Sequence, residues 1–461
     1  MSQHSGHLGT KPILGLFFGM AAPIAVGMMV HGLYNVVDAI FVTRVMGVNA
    51  MGGISIVFPI QMFIFALATL VGSGMASIVA RQLGAKQENA ANTTIDMAFR
   101  FGLVMALALT LGIYFNIDAL LEVLGVSNAL WPYASAYLVP LVLFSFPIVL
   151  ISSVPSDLLR AEGKAVLMMA SMVSSALLNI VLDALFIFVL GMGVEGVAYA
   201  TVLSQIFAIG LMLYFILGGK TQLKLRPFAY AMDWIIVKDI CLLGVPILIS
   251  HAGVSVFIGL TNYSVTQFTT VDSDLYVSAY GLIGRLMIFF ILPAIAMTIA
   301  FQTIAGYNYG AQQYDRVLAM VKLGIFSSLS YGLCVSAIML LVPELIIGIF
   351  TQNSALLTTT ASIAFWSFLL FPLSNAHSLI SSLFQALGKA RQAIFLSSLR
   401  IYIVLIPALL ILPKVYGIDG IWYSFPVADV TAFIVVIYFA LRERGNLIRL
   451  NLKPQPSQPI P

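Results

Sequence analysis

Two aspartates are candidate functional residues because they lie inside long apolar segments of the sequence. Asp38 follows Tyr34 by four residues, and Asp183 follows Asn179 by four, so each pair shares one face of a helix. An ionisable side chain in hydrocarbon costs about 2.5–3.5 kcal/mol on insertion scales, and such residues are usually functional. Two carboxylates close together would repel each other and lose hydration, so a proton or Na⁺ is their natural shared partner.

The segments that must position these residues are membrane helices by composition. Hydrophobic residues make up 61% of the 461 residues and charged residues only 9%, against roughly a quarter charged in soluble domains. Apolar runs of 18 or more residues predict transmembrane helices. The twelve predicted helices span residues 11–42, 53–82, 94–116, 130–155, 165–190, 194–218, 236–268, 277–307, 317–341, 355–385, 393–413 and 418–441.

The distribution of Lys and Arg predicts the orientation. The connections that follow predicted helices 3, 5, 7 and 9 contain neither Lys nor Arg. Only Arg44 and Lys414 lie on the same side of the membrane as these connections. Positive residues near membrane helices stay in the cytoplasm, so both termini are expected there, in a multi-pass protein of the cell membrane. Arg100 and Arg400, near the inner ends of predicted helices 3 and 11, are expected to snorkel to the cytoplasmic side.

The two halves of the chain repeat each other. Gly84-Ala85 of the first half recurs as Gly310-Ala311 in the second, and Pro23 recurs as Pro246 at nearly the same offset. Six helices per half bring the second copy in from the same side, so the repeat is parallel, about an axis along the membrane normal. We predict an N-lobe at 1–218, a cytoplasmic linker at 219–238, a C-lobe at 239–445 and a cytoplasmic tail at 446–461.

The repeat also provides an internal control for the aspartates. The offset that takes Pro23 to Pro246 takes Asp38 to Thr261. The offsets that align the later parts of the two halves take Asn179 and Asp183 to positions among Ile403, Val404, Pro407 and Ala408. The second lobe lacks these carboxylates, so a scaffold requirement shared by both copies does not explain them. The alternative is that one aspartate caps a kinked helix or bonds to a broken turn.

Three further intramembrane residues leave two interpretations each. Pro23 removes a backbone hydrogen bond from predicted helix 1, which makes it either a place where the helix bends and straightens or a static kink. Arg285 and Asp429 either line the second lobe or pair structurally. His31, His251 and His377 show no spacing typical of metal ligands, so no metal site is predicted.

Together these features resemble the multidrug and toxic compound extrusion (MATE) transporters over residues 10–445. The resemblance is carried by a proline followed by Tyr34-x-x-x-Asp38, by the repeated Gly-Ala loops, and by Asn179-x-x-x-Asp183. The acidic pair of the first lobe is similar to the DinF-type branch. Predicted helix 7 has no acid beyond its cytoplasmic end, and predicted helix 10 has His377 but no carboxylate.

The resemblance implies a monomeric antiporter that exports amphipathic, aromatic or cationic drug-like compounds by alternating access. H⁺ is the expected coupling ion and Na⁺ the alternative, with no other cofactor and no nucleic-acid partner. Protonation around Asp38 would bend helix 1 at Pro23 and release the substrate. By matched position, the residues of the cation network would be Tyr34, Asp38, Asn179, Asp183 and Thr201, and those of the substrate cavity Tyr34, Asn35, Tyr137, Met172 and Gln205.

Other functions have weaker support in the sequence. A flippase for lipid-linked oligosaccharides needs a cationic cavity for pyrophosphate, and Arg285 is the only clear base at mid-membrane. An intramembrane enzyme is disfavoured because GxSxG, HExxH and phosphate-cradling glycine motifs are missing, and a channel because no pore-loop signature occurs. A major-facilitator transporter would have a Gly- and Arg-rich loop after helix 2. Residues 81–88, which lie there, do not form such a loop, so this class is disfavoured.

Overall fold

The structure is a computed structural model that describes residues 6–269 and 273–452, and every regular element in these ranges is helical. The predicted all-α membrane fold is confirmed, with eleven continuous spans and one bent span. The membrane helices are α1 Ile13–Met46, α2 Val48–Gly84, α3 Glu88–Tyr114, α4 Trp131–Ala161, α5 Ala165–Val189, α6 Val194–Lys220, α7 Trp234–Phe268, α8 Ser273–Gly310, α9 Tyr314–Leu341, α10 Ser354–Phe368 plus Phe371–Ala386, α11 Ala390–Tyr416 and α12 Ile418–Asn451. A short helix, His7–Thr10, precedes α1, and two others, Ile117–Val123 and Pro343–Ile347, lie between membrane helices.

Most differences from the predicted bounds occur at the helix ends. Hydropathy places the end of helix 12 at residue 441, whereas α12 continues to Asn451. Charged residues such as Arg442, Glu443 and Arg444 end an apolar run, but they are good helix formers and do not end the helix. The predicted tail at 446–461 is therefore helical at its start, and residues 453–461 lie outside the described residues.

Several membrane helices depart from regular α-geometry. The two segments of α10 meet at 43° between Phe368 and Phe371, and Ser336 Oγ donates a hydrogen bond of 2.6 Å to the Phe368 carbonyl. Pro372 opens the second segment, and it cannot supply an N–H to the preceding turn. Wider π-turns occur at Leu141–Ser145, Leu185–Val189, Ile216–Lys220 and Leu399–Leu405. Such turns are often found at functional sites.

The chain forms two compact units. The first contains Gly19–Leu83 and Gln87–Leu248, and the second contains His7–Phe18, Gly84–Lys86 and the chain from Ile249 onward. The units differ from the predicted lobes mainly because the first turns of α1 belong to the second unit and those of α7 to the first. Pro23 lies close to the place where α1 passes from one unit to the other, and Pro246 lies close to the corresponding place in α7.

Within the first unit, α7 begins in backbone contact with α2. A Cβ atom added to Gly244 would lie 2.0 Å from the carbonyl oxygen of Leu70, and one added to Gly74 would lie 2.1 Å from that of Ile240. Only glycine allows two helices to approach this closely. The start of α7 is therefore fixed to the first unit by packing of the backbone.

The predicted linker is also bound to the first unit. The buried carboxylate of Glu162 accepts hydrogen bonds from the backbone N–H groups of Gln222 (3.0 Å) and Leu223 (2.7 Å) and pairs with Lys164. Asp96 accepts in the same way from Phe228 (2.7 Å) and Tyr230 (3.3 Å). Arg100 pairs with Asp96 and donates to the Tyr230 carbonyl, so this arginine reaches the linker.

We expect Glu162→Gln to expose the linker to trypsin. Both carboxylate oxygens of Glu162 accept backbone hydrogen bonds, whereas glutamine offers one oxygen and leaves one N–H group unpaired. The loss of a charge-assisted bond should raise the rate of cleavage after Lys224 in detergent-solubilised protein by about tenfold or more. Glu443→Gln, which removes the ion pair with Lys389 in the second unit, is the control. Equal cleavage of the two variants would contradict the assignment.

Candidate cation-binding site

The C-terminal parts of α1 and α5 lie side by side in the first unit. A Cβ atom added to Gly27 would lie 3.3 Å from Met172 Sδ, and the rings of Phe41 and Phe188 meet edge to face with centroids 5.6 Å apart. These two contacts lie toward opposite ends of the shared length of the helices. They place Asp38 of α1 at the same level as Asp183 of α5.

The two carboxylates converge as predicted. Asp38 is 9% exposed and Asp183 is fully buried, and they lie close enough for their negative charges to interact directly. Asn179, one turn before Asp183, is 1% exposed. Within the described ranges, Asp38 Oδ1, both carboxylate oxygens of Asp183 and both amide atoms of Asn179 have no hydrogen-bond partner.

This arrangement is unfavourable for two unneutralised carboxylates. Buried polar groups are nearly always hydrogen-bonded, and a buried charge without a partner carries a desolvation penalty of several kcal/mol. The uncompensated atoms include carboxylate and amide oxygens, which are the ligand types that hard cations prefer. A proton shared by the carboxylates, or a Na⁺ ion among the oxygens, would remove the penalty. The residues therefore fit a monovalent cation.

Two tyrosines adjoin the acidic pair. The phenol groups of Tyr34 and Tyr137 are both within electrostatic range of Asp38 and Asp183. Tyr137 is 3% exposed, and its hydroxyl accepts a hydrogen bond of 3.2 Å from Gln61 Nε2 in α2. Gln61 is not among the predicted site residues, although a single amide in the apolar run of α2 is a usable signal. The phenols give the site an aromatic wall.

The remaining predicted residues lie at different distances from the acids. Asn35 is exposed and donates to the His31 carbonyl of its own helix, and the Thr201 hydroxyl donates to the Val197 carbonyl within α6. Met172 lies on α5 about 16 Å along the axis from Asp183. Gln205 accepts a 2.8 Å hydrogen bond from Ser145 Oγ, at the π-turn of α4.

The equivalent place in the second unit is filled by aromatic rings. Thr201 corresponds to Phe425 at an offset of 224, and Thr261 takes the position of Asp38. Phe257 packs edge to face on Phe425 with centroids 5.3 Å apart, and Thr261 donates to the Phe257 carbonyl within α7. A polar site in one copy of the repeat is thus an apolar core in the other.

The polar residues of the second unit pair with each other elsewhere. Arg400 Nε donates a 2.6 Å bond to Asp429 Oδ1, which selects the pairing interpretation for Asp429. The guanidinium of Arg400 thus binds a buried carboxylate on the neighbouring helix of its own unit. Arg285 is exposed on α8.

Comparison with known proteins gives consistent matches. The MatE family model matches residues 23–185 and 246–410, one segment in each half. The multidrug export protein MepA of Staphylococcus saprophyticus is 23% identical, covering 95% of this chain and 96% of its own. The probable multidrug resistance protein YoeA of Bacillus subtilis is 24% identical, covering 90% of each chain.

Solved structures share the fold. One described as the outward-facing conformation of a multidrug resistance MATE family transporter of the MOP superfamily has a TM-score of 0.89 and 24% identity, covering 97% of this chain and 99% of its own. A second, of MATE in the bent conformation, has a TM-score of 0.91 and 23% identity, covering 98% and 100%. The family model covers more than half of the sequence, and the chain belongs to the MatE family of membrane transporters.

Proposed function

We propose that this protein is a cation-coupled multidrug antiporter, with H⁺ as the coupling ion and Na⁺ as the alternative. The observation that carries the proposal is the buried pair Asp38 and Asp183, whose carboxylate oxygens lack hydrogen-bond donors in the described part of the chain. The names of the relatives, multidrug export protein and probable multidrug resistance protein, support the substrate class.

Cation binding acts on α1 in this proposal. With both acids charged, repulsion separates Asp38 from Asp183 and favours one arrangement of α1 against α5. A proton removes the repulsion and supplies a hydrogen-bond donor, so α1 moves and bends near Pro23. That proline leaves the Gly19 carbonyl without its helical donor, beside the point where α1 passes between the compact units. The movement contracts the first-unit cavity and releases the substrate outward.

The driving force is sufficient for export. A proton that moves through a membrane potential of 100 mV contributes about 2.3 kcal/mol, and each factor of ten in concentration requires about 1.4 kcal/mol. One proton per cycle can therefore sustain a substrate gradient of about 40-fold.

The substrate cavity of the first unit combines aromatic, sulfur and amide groups. Tyr34 and Tyr137 offer π-faces that attract aromatic cations, Met172 adapts to different shapes, and Gln205 supplies a polar contact. Asn35 is a further predicted residue of the substrate cavity, and Thr201 is a further predicted residue of the cation network. We further propose that the transporter works as a monomer in the cell membrane, with both termini in the cytoplasm.

The test is transport in proteoliposomes with pH and Na⁺ gradients imposed separately, using a panel of fluorescent aromatic cations. We expect a pH gradient to drive accumulation, with the Na⁺ gradient as the comparison. Transport driven by Na⁺ alone would change the coupling ion and keep the rest of the proposal. If neither gradient moved any compound, the proposed function would be wrong.

A further inference from the structure

A second polar cluster lies in the second compact unit, away from Asp38 and Asp183. Arg400 of α11 pairs with Asp429 of α12 at 2.6 Å, and His377 of α10 is within electrostatic range of Arg400. One helical turn away, Ser381 Oγ and Ser397 Oγ lie 2.9 Å apart and join α10 to α11. All of these residues belong to one compact unit. Arg400 lies in the π-turn Leu399–Leu405.

Hydrogen-bonding capacity is left over in this cluster. His377 is 4% exposed, and its imidazole bonds to the Leu396 backbone. Its Nε2 atom has no partner among the residues that the structure describes. Arg400 uses only Nε in hydrogen bonds within the same described ranges, so its two terminal nitrogens are available. The Arg400 side chain is 20% exposed, whereas that of Asp429 is 2% exposed.

The internal repeat relates this cluster to the predicted substrate residues of the first unit. At the offset of 224 that aligns Gly193 with Gly417, Gln205 corresponds to Asp429. At the offset of 225 that aligns Gly163 with Gly388, Met172 corresponds to Ser397. The two copies therefore carry different chemistry at equivalent places, with an amide and a thioether in one and a carboxylate and a hydroxyl in the other.

The available groups fit a carboxylate. The terminal nitrogens of a guanidinium bind two carboxylate oxygens side by side, which an ammonium group cannot do with the same geometry. Asp429 keeps the guanidinium oriented through Nε, so the terminal edge is preorganised. His377 would complete the site by sharing a proton between Nε2 and a carboxyl oxygen.

We propose that Arg400, held by Asp429 and flanked by His377, binds the carboxylate of aromatic substrates that carry both an amine and a carboxylate. This inference rests on the proposed multidrug function and adds a subsite for one chemical group of the substrate. Arg400 would set the preference for a free acid over its ester.

The test compares a rhodamine that has a free carboxylate with the ethyl ester of the same dye. Equilibrium binding of both dyes to purified protein in lipid nanodiscs is measured by fluorescence anisotropy, and efflux of both from cells is measured in parallel. Arg400→Lys keeps the positive charge and the partner of Asp429 but loses the planar fork. We expect it to lower the acid-to-ester ratio of affinities by about tenfold.

Two more variants separate a binding role from a structural one. The double variant Arg400→Gln with Asp429→Asn removes both charges together and should lower the ratio at least as much. Lys389→Gln, which breaks an ion pair with Glu443 elsewhere in the unit, should leave the ratio unchanged. A ratio that stays constant in both Arg400 variants, or an equal loss of both dyes, would overturn the carboxylate site alone. Wild-type protein that binds neither dye would overturn the proposed function as well.

Discussion

Asp38→Asn is expected to abolish uphill export without unfolding the protein. Wild-type protein should sustain a substrate gradient of up to about 40-fold per proton at 100 mV, and the variant should bring the ratio to about one. Asparagine has nearly the same shape as aspartate and cannot exchange a proton. Because Asp38 Oδ1 has no hydrogen-bond partner in the described ranges, the substitution breaks no bond of that atom. Thermal unfolding should therefore occur at the wild-type temperature or above it.

The repeat supplies the matched control for this variant. Thr261 occupies the position of Asp38 in the second unit, is fully buried, and hydrogen-bonds to the Phe257 carbonyl and to the Tyr280 side chain. Thr261→Val has a similar volume and should keep the wild-type gradient. Both variants are compared in proteoliposomes at equal protein content. Uphill export by Asp38→Asn at the wild-type level would show that the carboxylate is not the coupling group.

Pro23→Ala is expected to have the second largest effect, because it favours the straight form of α1. Proline inside a helix costs about 3 kcal/mol through the missing hydrogen bond and the ring clash, and alanine removes that cost. The equilibrium between bent and straight forms should therefore shift toward the straight form by about 100-fold. Substrate affinity in the straight form should persist while the transport rate falls. The measurement is binding and transport of the same fluorescent cation.

Pro246→Ala is the matched control for this second prediction. Pro246 has the same place in α7, near the point where that helix passes between the compact units, but Thr261 replaces the aspartate beyond it. A bend in α7 thus has no ionisable residue at the equivalent position to trigger it. We expect Pro246→Ala to change the transport rate less than Pro23→Ala does. Equal losses in both variants would mean that the prolines act only as scaffold elements.

Hydropathy and the repeat predicted the membrane fold and the meeting of two residues that are far apart in the chain, Asp38 and Asp183. This succeeded because equal depth in helices of the same direction follows from residue spacing alone. The absence of acids at the repeat-related positions was also visible in the sequence. Its structural meaning was not, because the packing of Phe257 against Phe425 depends on which helices are neighbours.

Residue spacing does not predict contacts between segments that are far apart in the chain. Arg400 lies near the predicted inner end of a helix, and its pairing with the Asp429 carboxylate on the next helix cannot be predicted from that position. Asp96 and Glu162 are ordinary charged residues of helix ends in the sequence. In the structure they are the acceptors that hold the linker. Pairing partners of this kind depend on tertiary packing, which residue spacing does not encode.

The central claim is that Asp38 and Asp183 exchange a cation for the substrate, and proton release on substrate binding tests it most directly. Purified protein in weakly buffered solution near neutral pH is mixed with a saturating aromatic cation, and the protons released are counted with a pH-sensitive dye. The account predicts about one proton per substrate bound by wild-type protein. It predicts none from Asp38→Asn, which should still bind the compound. Undiminished proton release from Asp38→Asn would contradict the account.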